Sequence, residues 1–255
     1  MTSAAAMRME WTKLRTVPST AWSIVGLIGL TVATGSLLMW SLGTTHCASH
    51  CDQDMPQLSL SGVYLAQLAI VVLAALAITS EYDTMMIRTT LAARPRRLTV
   101  LGAKAAIVTA TVLVTGGIAV LATFVVARGI PVDGYLPLSL DDGATRRAYF
   151  GTVAYLGLIA LFSVGVGTLV RHTAGAITTM MALLYVAPII AQLVSDERWR
   201  HRIERYAPMS SGLTIQATTH LDRLPIGPWH GLGVLAAYAA AALLLGAIAF
   251  LVRDA

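Results

Sequence analysis

Charge is scarce in this sequence: only 12% of its 255 residues are Asp, Glu, Lys or Arg. A soluble domain carries roughly a quarter. With 56% hydrophobic residues and a mean hydropathy of +0.70, the chain could not cover its own surface in water. A soluble globular protein is excluded, and lipid is left as the solvent for most of the surface. Nucleotide-binding chemistry is missing as well. No G-x-x-x-x-G-K-[ST] run occurs, so a P-loop is excluded and any ATP must act through another chain. The apolar runs hold no Asp, Glu, Lys, Arg or central His, which disfavours a proton- or ion-coupled transporter. Intramembrane proteolysis is excluded too. No span holds an Asp pair or His-Glu-x-x-His, and Ser163 has Gly165 after it but no glycine two before and no facing histidine. Lysine is limited to Lys13 and Lys104; the excess of arginine, with abundant alanine, hints at a GC-rich genome.

What is present reads as an all-α, polytopic membrane protein of one domain, residues 1–255. Six apolar runs, near residues 21–42, 60–79, 105–127, 148–170, 173–194 and 232–252, are long enough at ~1.5 Å per residue to cross ~30 Å of hydrocarbon. The net charge of +5 and pI near 9.5 come from Arg and Lys flanking these runs, so they point to a membrane and not to nucleic acid. The first run is longer than a signal-peptide core and lacks a small-x-small cleavage site, so it is expected to stay attached. Arg8, Lys13 and Arg15 precede it, whereas residues 43–59 carry Asp52 and Asp54 and no Lys or Arg. This asymmetry places both termini in the cytoplasm. Arg171 and His172 alone separate the fourth and fifth runs, which predicts a tight helical hairpin.

Two segments have helical periodicity without the length to span. Met7, Trp11 and Leu14 form an apolar stripe with Lys13 and Arg15 turned away, the pattern of an interfacial helix. Trp199, Ile203 and Tyr206 do the same within an arginine-rich stretch, predicting an amphipathic helix on the outer leaflet in contact with lipid headgroups. Residues 208–219 are apolar enough to dip back into the membrane if protein shields their backbone. Residues 80–104 are the long charged interruption, with Arg88, Arg94, Arg96, Arg97 and Lys104. Ser80 and Asp83 have capping-box spacing, which predicts a helix start, and Pro95 a stop. Cys47 and Cys51 alternate with His46 and His50, all expected outside. A short disulfide is the first reading, with a soft metal ion or free thiols as alternatives; no metal is assigned. Gln67, Gln192 and the Ser and Thr residues of the spans are expected to bond helix to helix, and Gly116, Gly117, Gly165 and Gly167 to permit close packing.

Glu81-Tyr82-x-Thr84-x-x-x-Arg88-x-Thr90-Leu91-x-Ala93-x-Pro95-Arg96-Arg97, then Val100-Leu101-x-Ala103-Lys104, resembles the first cytoplasmic loop of ABC-2 type permeases, particularly actinobacterial ones; the coupling helix the resemblance implies also takes in Asp83, Met86, Ile87 and Arg94. Glu10-Trp11-x-Lys13-Leu14-Arg15-Thr16-x-x-Ser19-Thr20 is similar to that family's entry segment, and Tyr206-Ala207-Pro208-Met209-x-Ser211-Gly212 to the approach to its last span. Met85 departs from the pattern, where glycine is expected. The resemblance implies the transmembrane subunit of an ABC exporter in the bacterial cytoplasmic membrane. Catalysis and cofactors, ATP and Mg, would belong to two copies of a separate ATPase, and a second permease copy would complete a homodimer or heterodimer. Residues 81–94 would be the coupling helix seated in the ATPase, Met7 to Arg15 the interfacial elbow, and residues 195–231 the outer re-entrant helices. The alternative is a membrane sensor or immunity protein that binds an external peptide or antibiotic without moving it, motivated by the basic outer stretch.

Overall fold

Runs of Leu, Val, Ile and Ala can satisfy their backbone in lipid only as helices or closed barrels. This chain forms helices. The computed structural model describes residues 11, 12, 16, 18–43, 53–83, 97–130, 132 and 138–252, with backbone alone at 42, 43, 80–83 and 97. There is no strand among the described residues. Six helices are long and apolar enough to cross a membrane: Pro18–Ser41, Met55–Thr79, Leu98–Arg128, Gly143–Val170, Thr173–Leu193 and Pro228–Val252, taken here as spans one to six. Two of them are composite. The second opens as Met55–Ser59 and a 3-10 turn, Leu60–Gly62, before Val63–Asp83. The fifth passes from Thr173–Met181 to Ala187–Leu193 through a π-helical Ala182–Val186.

The fourth span is the axis of the bundle. Of its most apolar window 67% is buried, against 22% in the first and fifth spans, and it packs along the second, third and sixth. Its residues Tyr155, Leu156, Ile159 and Ala160 have no exposed surface. Spans four and six approach closely, since a Cβ on Gly165 would lie 2.6 Å from the Ala242 carbonyl carbon. Gly116 is similarly crowded by Leu156, whereas Gly117 faces open space and Gly167 has only ordinary contacts. The expected role in close packing therefore holds for Gly116 and Gly165 alone.

Spans two, four and six begin at one end of the bundle, where Asp54 reaches Thr218 and Arg147 reaches Ala217. This is the loop-rich end. At the other end Arg171 adopts a left-handed conformation (φ 61°) and closes the expected hairpin, its N–H donating to the Gly167 carbonyl at 3.0 Å. His172 then caps the fifth span by accepting from the Gly175 N–H, and Arg171 Nη2 donates to the Ala249 carbonyl at 3.0 Å. All five tryptophans are more than half exposed. Trp22 and Trp40 stand eighteen residues apart on span one. At 1.5 Å per residue that is about 27 Å, close to the spacing of the two aromatic belts that flank a hydrocarbon core.

Three expectations need correction. The Ser80–Asp83 pattern does not start a helix: the backbone is helical without a break from Val63 through Asp83, so these residues extend the second span. In a helix already under way, the carbonyls of the preceding turn accept from the N–H groups that a cap would otherwise satisfy. Lys104 is not in a loop. It lies inside the helix Arg97–Arg128 and is buried, with Nζ donating to the Ala77 carbonyl at 3.1 Å. The third span therefore does contain a lysine, whose long stem lies in apolar surroundings while its ammonium is solvated by a backbone oxygen. Spans three and four also begin earlier than their apolar runs, at Arg97 and Gly143 and not at 105 and 148. Helices extend past the hydrocarbon edge until a cap ends them. Asp142 is such a cap, accepting from the Thr145 N–H and hydroxyl at 2.8 Å each.

Candidate functional site

The segment between spans five and six turns into the bundle instead of lying over it. After the helix Glu197–Tyr206, Ala207 is extended and Pro208 opens a short helix, Pro208–Leu213, followed by a 3-10 turn, Thr214–Gln216. Every residue from 207 to 217 except Ser210 is buried. A short, irregular backbone can sit there because its groups are met locally. The Ser211 hydroxyl donates to the Ala207 carbonyl and the Thr214 hydroxyl to the Ser211 carbonyl, each at 2.7 Å. Glycines make room for it: an added Cβ on Gly231 of span six would overlap the Ser211 carbonyl, and one on Gly151 of span four would overlap Ile215.

Beneath this tucked segment, Gln67 of span two joins four elements. Its Oε1 accepts from the Tyr155 hydroxyl at 2.5 Å. Its Nε2 faces the Tyr185 hydroxyl at 2.9 Å, the Tyr64 carbonyl at 3.2 Å and Met209 Sδ at 3.2 Å. The amide orientation follows from the network. The Tyr185 hydroxyl donates to the Tyr64 carbonyl, so it must accept from the amide nitrogen. Tyr185 stands in the π-helical turn. The turn has an identifiable cause three residues on: Pro188 lacks an N–H and its ring crowds the carbonyl of Leu184, so the regular ladder cannot run through. Gln216 extends the polar zone. Its Nε2 donates to the Thr152 hydroxyl at 3.3 Å, while its buried Oε1 has no partner among the described residues.

One carboxylate fastens the segment at the loop-rich end. Asp54 accepts from the Thr218 hydroxyl at 2.8 Å, from the Thr219 N–H at 2.9 Å and from the Thr218 N–H. The same side chain caps the helix Met55–Ser59 by accepting from the Gln57 N–H at 3.1 Å. Arg147 Nη2 donates to the Ala217 carbonyl at 2.6 Å. Hydrogen bonds from Thr145 hold the neighbouring Asp142 carboxyl below the usual carboxylate range. The arrangement suits a polar joint that can open: Tyr hydroxyls and Gln amides both donate and accept, so a polar ligand can replace their bonds to each other.

Of the residues expected to matter, Gln67 is central here and Gln192 is exposed. Trp199, Ile203 and Tyr206 share a face of the helix Glu197–Tyr206, with Trp199 and Tyr206 exposed. Trp11 is helical and exposed. Met7, Lys13, Leu14 and Arg15 lie outside the described residues, as do Thr84, Met86, Ile87, Arg88, Thr90, Leu91 and Arg94. Glu81, Tyr82 and Asp83 are described only as helical backbone. Cys47, Cys51, His46 and His50 are also outside, and among the described residues no group of three His, Cys, Asp or Glu side chains could hold a metal ion. Asp54, Tyr155, Tyr185 and Gln216 were not legible as partners, because nothing in their sequence neighbourhood marks the long-range contacts they make. Met209 was visible only inside the run around Pro208. No family model and no curated protein matches this chain.

Proposed function

We propose that the chain is the transmembrane permease subunit of an ATP-driven exporter of the ABC-2 type. The observation that carries this reading is the tucked segment. Residues 208–216 include the Pro208-Met209-x-Ser211-Gly212 run on which the resemblance partly rests. There the backbone enters the bundle between spans four and six, where a re-entrant closure of the exit would lie. In this reading both termini face the cytoplasm and the loop-rich end faces outward. Two copies of a separate ATPase supply ATP hydrolysis with Mg, because the sequence lacks a P-loop of its own. Residues 81–94 form the coupling helix that takes up the ATPase motion. A second permease copy, or lipid, covers the exposed apolar faces of spans one and five. The substrate class is amphipathic: a drug, peptide or lipid-like molecule carried along Thr, Ser, Gly and aliphatic side chains. The Gln67–Tyr155–Tyr185–Met209 joint and the Asp54 clip would then hold the exit shut between cycles.

The test is co-purification from native membranes with a chain that carries a Walker A sequence, identified by mass spectrometry. Arg88→Glu with Arg94→Glu should release that chain while the permease remains monodisperse. Transport by the chain alone in ATP-free vesicles would overturn the proposal. Binding of an external ligand that ignores ATP and moves nothing would favour the sensor or immunity reading instead, to which the basic helix Glu197–Tyr206 lends some support.

A further inference from the structure

The helix Glu197–Tyr206 sorts its charges by face. Arg198, Arg202 and Arg205 recur at i, i+4 and i+7 with His201 beside them, whereas Glu197 is engaged by Arg200 at 3.6 Å and by His201 at 3.8 Å on the neighbouring side. Arg202 and Arg205 have no ion pair among the described residues; each lies over an aromatic ring instead, Arg202 over Trp199 at 5.4 Å and Arg205 over Tyr206 at 5.8 Å. A cleft of about 450 Å³ opens beside them, lined by His201, Arg202, Arg205, Tyr206 and Pro225, with no carboxylate in its wall. Two forked guanidinium groups held by aromatic stacking, facing a cleft without counter-charge, match the geometry of a phosphate.

The surroundings say which phosphate. Trp199 and Tyr206 of this helix and Trp229 at the start of span six are all more than half exposed, and Leu193, the last residue of span five, is 79% exposed. Exposed Trp and Tyr adjoining the apolar end of a span belong at the headgroup level of a bilayer. We infer that this cleft binds the phosphodiester headgroup of an anionic phospholipid, in the leaflet at the loop-rich end. Arg202 and Arg205 clamp the phosphate oxygens, and Trp199 and Tyr206 insert beside the acyl chains. The inference stands apart from the exporter reading, since it needs neither an ATPase nor a cargo.

The experiment is native mass spectrometry of the purified full chain in detergent, titrated with phosphatidylglycerol, phosphatidylcholine or inorganic phosphate. One phosphatidylglycerol should be retained, with about tenfold or greater preference over phosphatidylcholine, and high salt should weaken it. Arg202→Gln with Arg205→Gln should abolish that preference, while Arg200→Gln, which lies outside the cleft, should leave it intact. Equal retention of both lipids by the wild-type protein would overturn the proposal, as would undiminished phosphatidylglycerol binding in the double variant. Competition by inorganic phosphate at concentrations similar to the lipid would also overturn it, because the site would then take a soluble anion.

Discussion

Gln67 brings an amide with two donors and one acceptor oxygen into a fully buried position, and each of its neighbours depends on it. Gln67→Leu would leave the Tyr155 hydroxyl without its acceptor at zero exposure. A cost of about 1–3 kcal/mol is expected for such an orphaned group. Tyr155→Phe should cost a similar amount by orphaning the amide oxygen, and the double variant should lose less than the sum of the two. Thermal melting of the purified protein checks this, and strict additivity would mean that the two groups do not act as one joint. Asp54 has a comparable load on a single carboxylate. Asp54→Ala removes a helix cap and the contacts to Thr218 and Thr219, so it should raise hydrogen exchange at residues 217–219 well before it unfolds the bundle. Asp142 makes a pH prediction. Its folded carboxyl titrates below the usual value of ~3.9, chiefly because of its bonds from Thr145. Its contribution is therefore fully present above the ordinary pKa and disappears as pH falls through the lowered one. Asp142→Asn should flatten the acid limb of a stability–pH profile by lowering stability at neutral pH, where the carboxylate contributes, and should converge with the wild type at low pH.

At the scale of elements, the π-helical turn and the tucked segment depend on small features with large reach. Pro188→Ala would restore a donor to the Leu184 carbonyl and allow an ordinary α-helix through Ala182–Val186. The side chains of one half of span five would then rotate relative to the other, and Tyr185 would leave Gln67. The expected signature is a Tyr155→Phe effect that shrinks in the Pro188→Ala background, read by the same melts. Gly231 offers a second lever. A valine there would meet the Ser211 carbonyl and the Thr214 hydroxyl, so the tucked segment should be driven out toward the loop-rich end. A cysteine placed at Ser210 should then be labelled faster by a water-soluble thiol reagent, with mass spectrometry distinguishing it from Cys47 and Cys51. An unchanged labelling rate would mean that the segment accommodates the bulk in place. Neither element follows from periodicity alone. The π turn looks like plain span in the sequence, and residues 208–216 are too short for a hydrophobic pattern to say whether they lie on the bundle or within it.

For the whole molecule, the placement in a membrane rests on helix length and on where tryptophan is found. Single-tryptophan variants that keep Trp22 or Trp40 should be quenched more strongly by lipids labelled near the headgroup than by lipids labelled at the bilayer centre. The reverse order would shift the membrane band along span one. Membrane character, the number of spans and the Arg171–His172 hairpin were legible from the sequence, because hydrophobicity over twenty residues is a local sum that no tertiary contact can undo. The amphipathic helix around Trp199 was legible for the same reason, its pattern being complete within ten residues. Lys104 was not legible as a span residue, because a charge beside an apolar run has the look of a loop. The helix Arg97–Arg128 carries it into the bundle, where its ammonium meets the Ala77 carbonyl of the preceding span, more than twenty residues away in the chain. The Ser80–Asp83 spacing misled because a capping pattern has meaning only where no helix is already running. The sequence by itself therefore determined which stretches are apolar enough to cross a membrane. Only the tertiary structure decided which polar side chains meet between them, since a buried hydrogen bond such as Gln67 to Tyr155 depends on how helices rotate and approach, and composition does not record that.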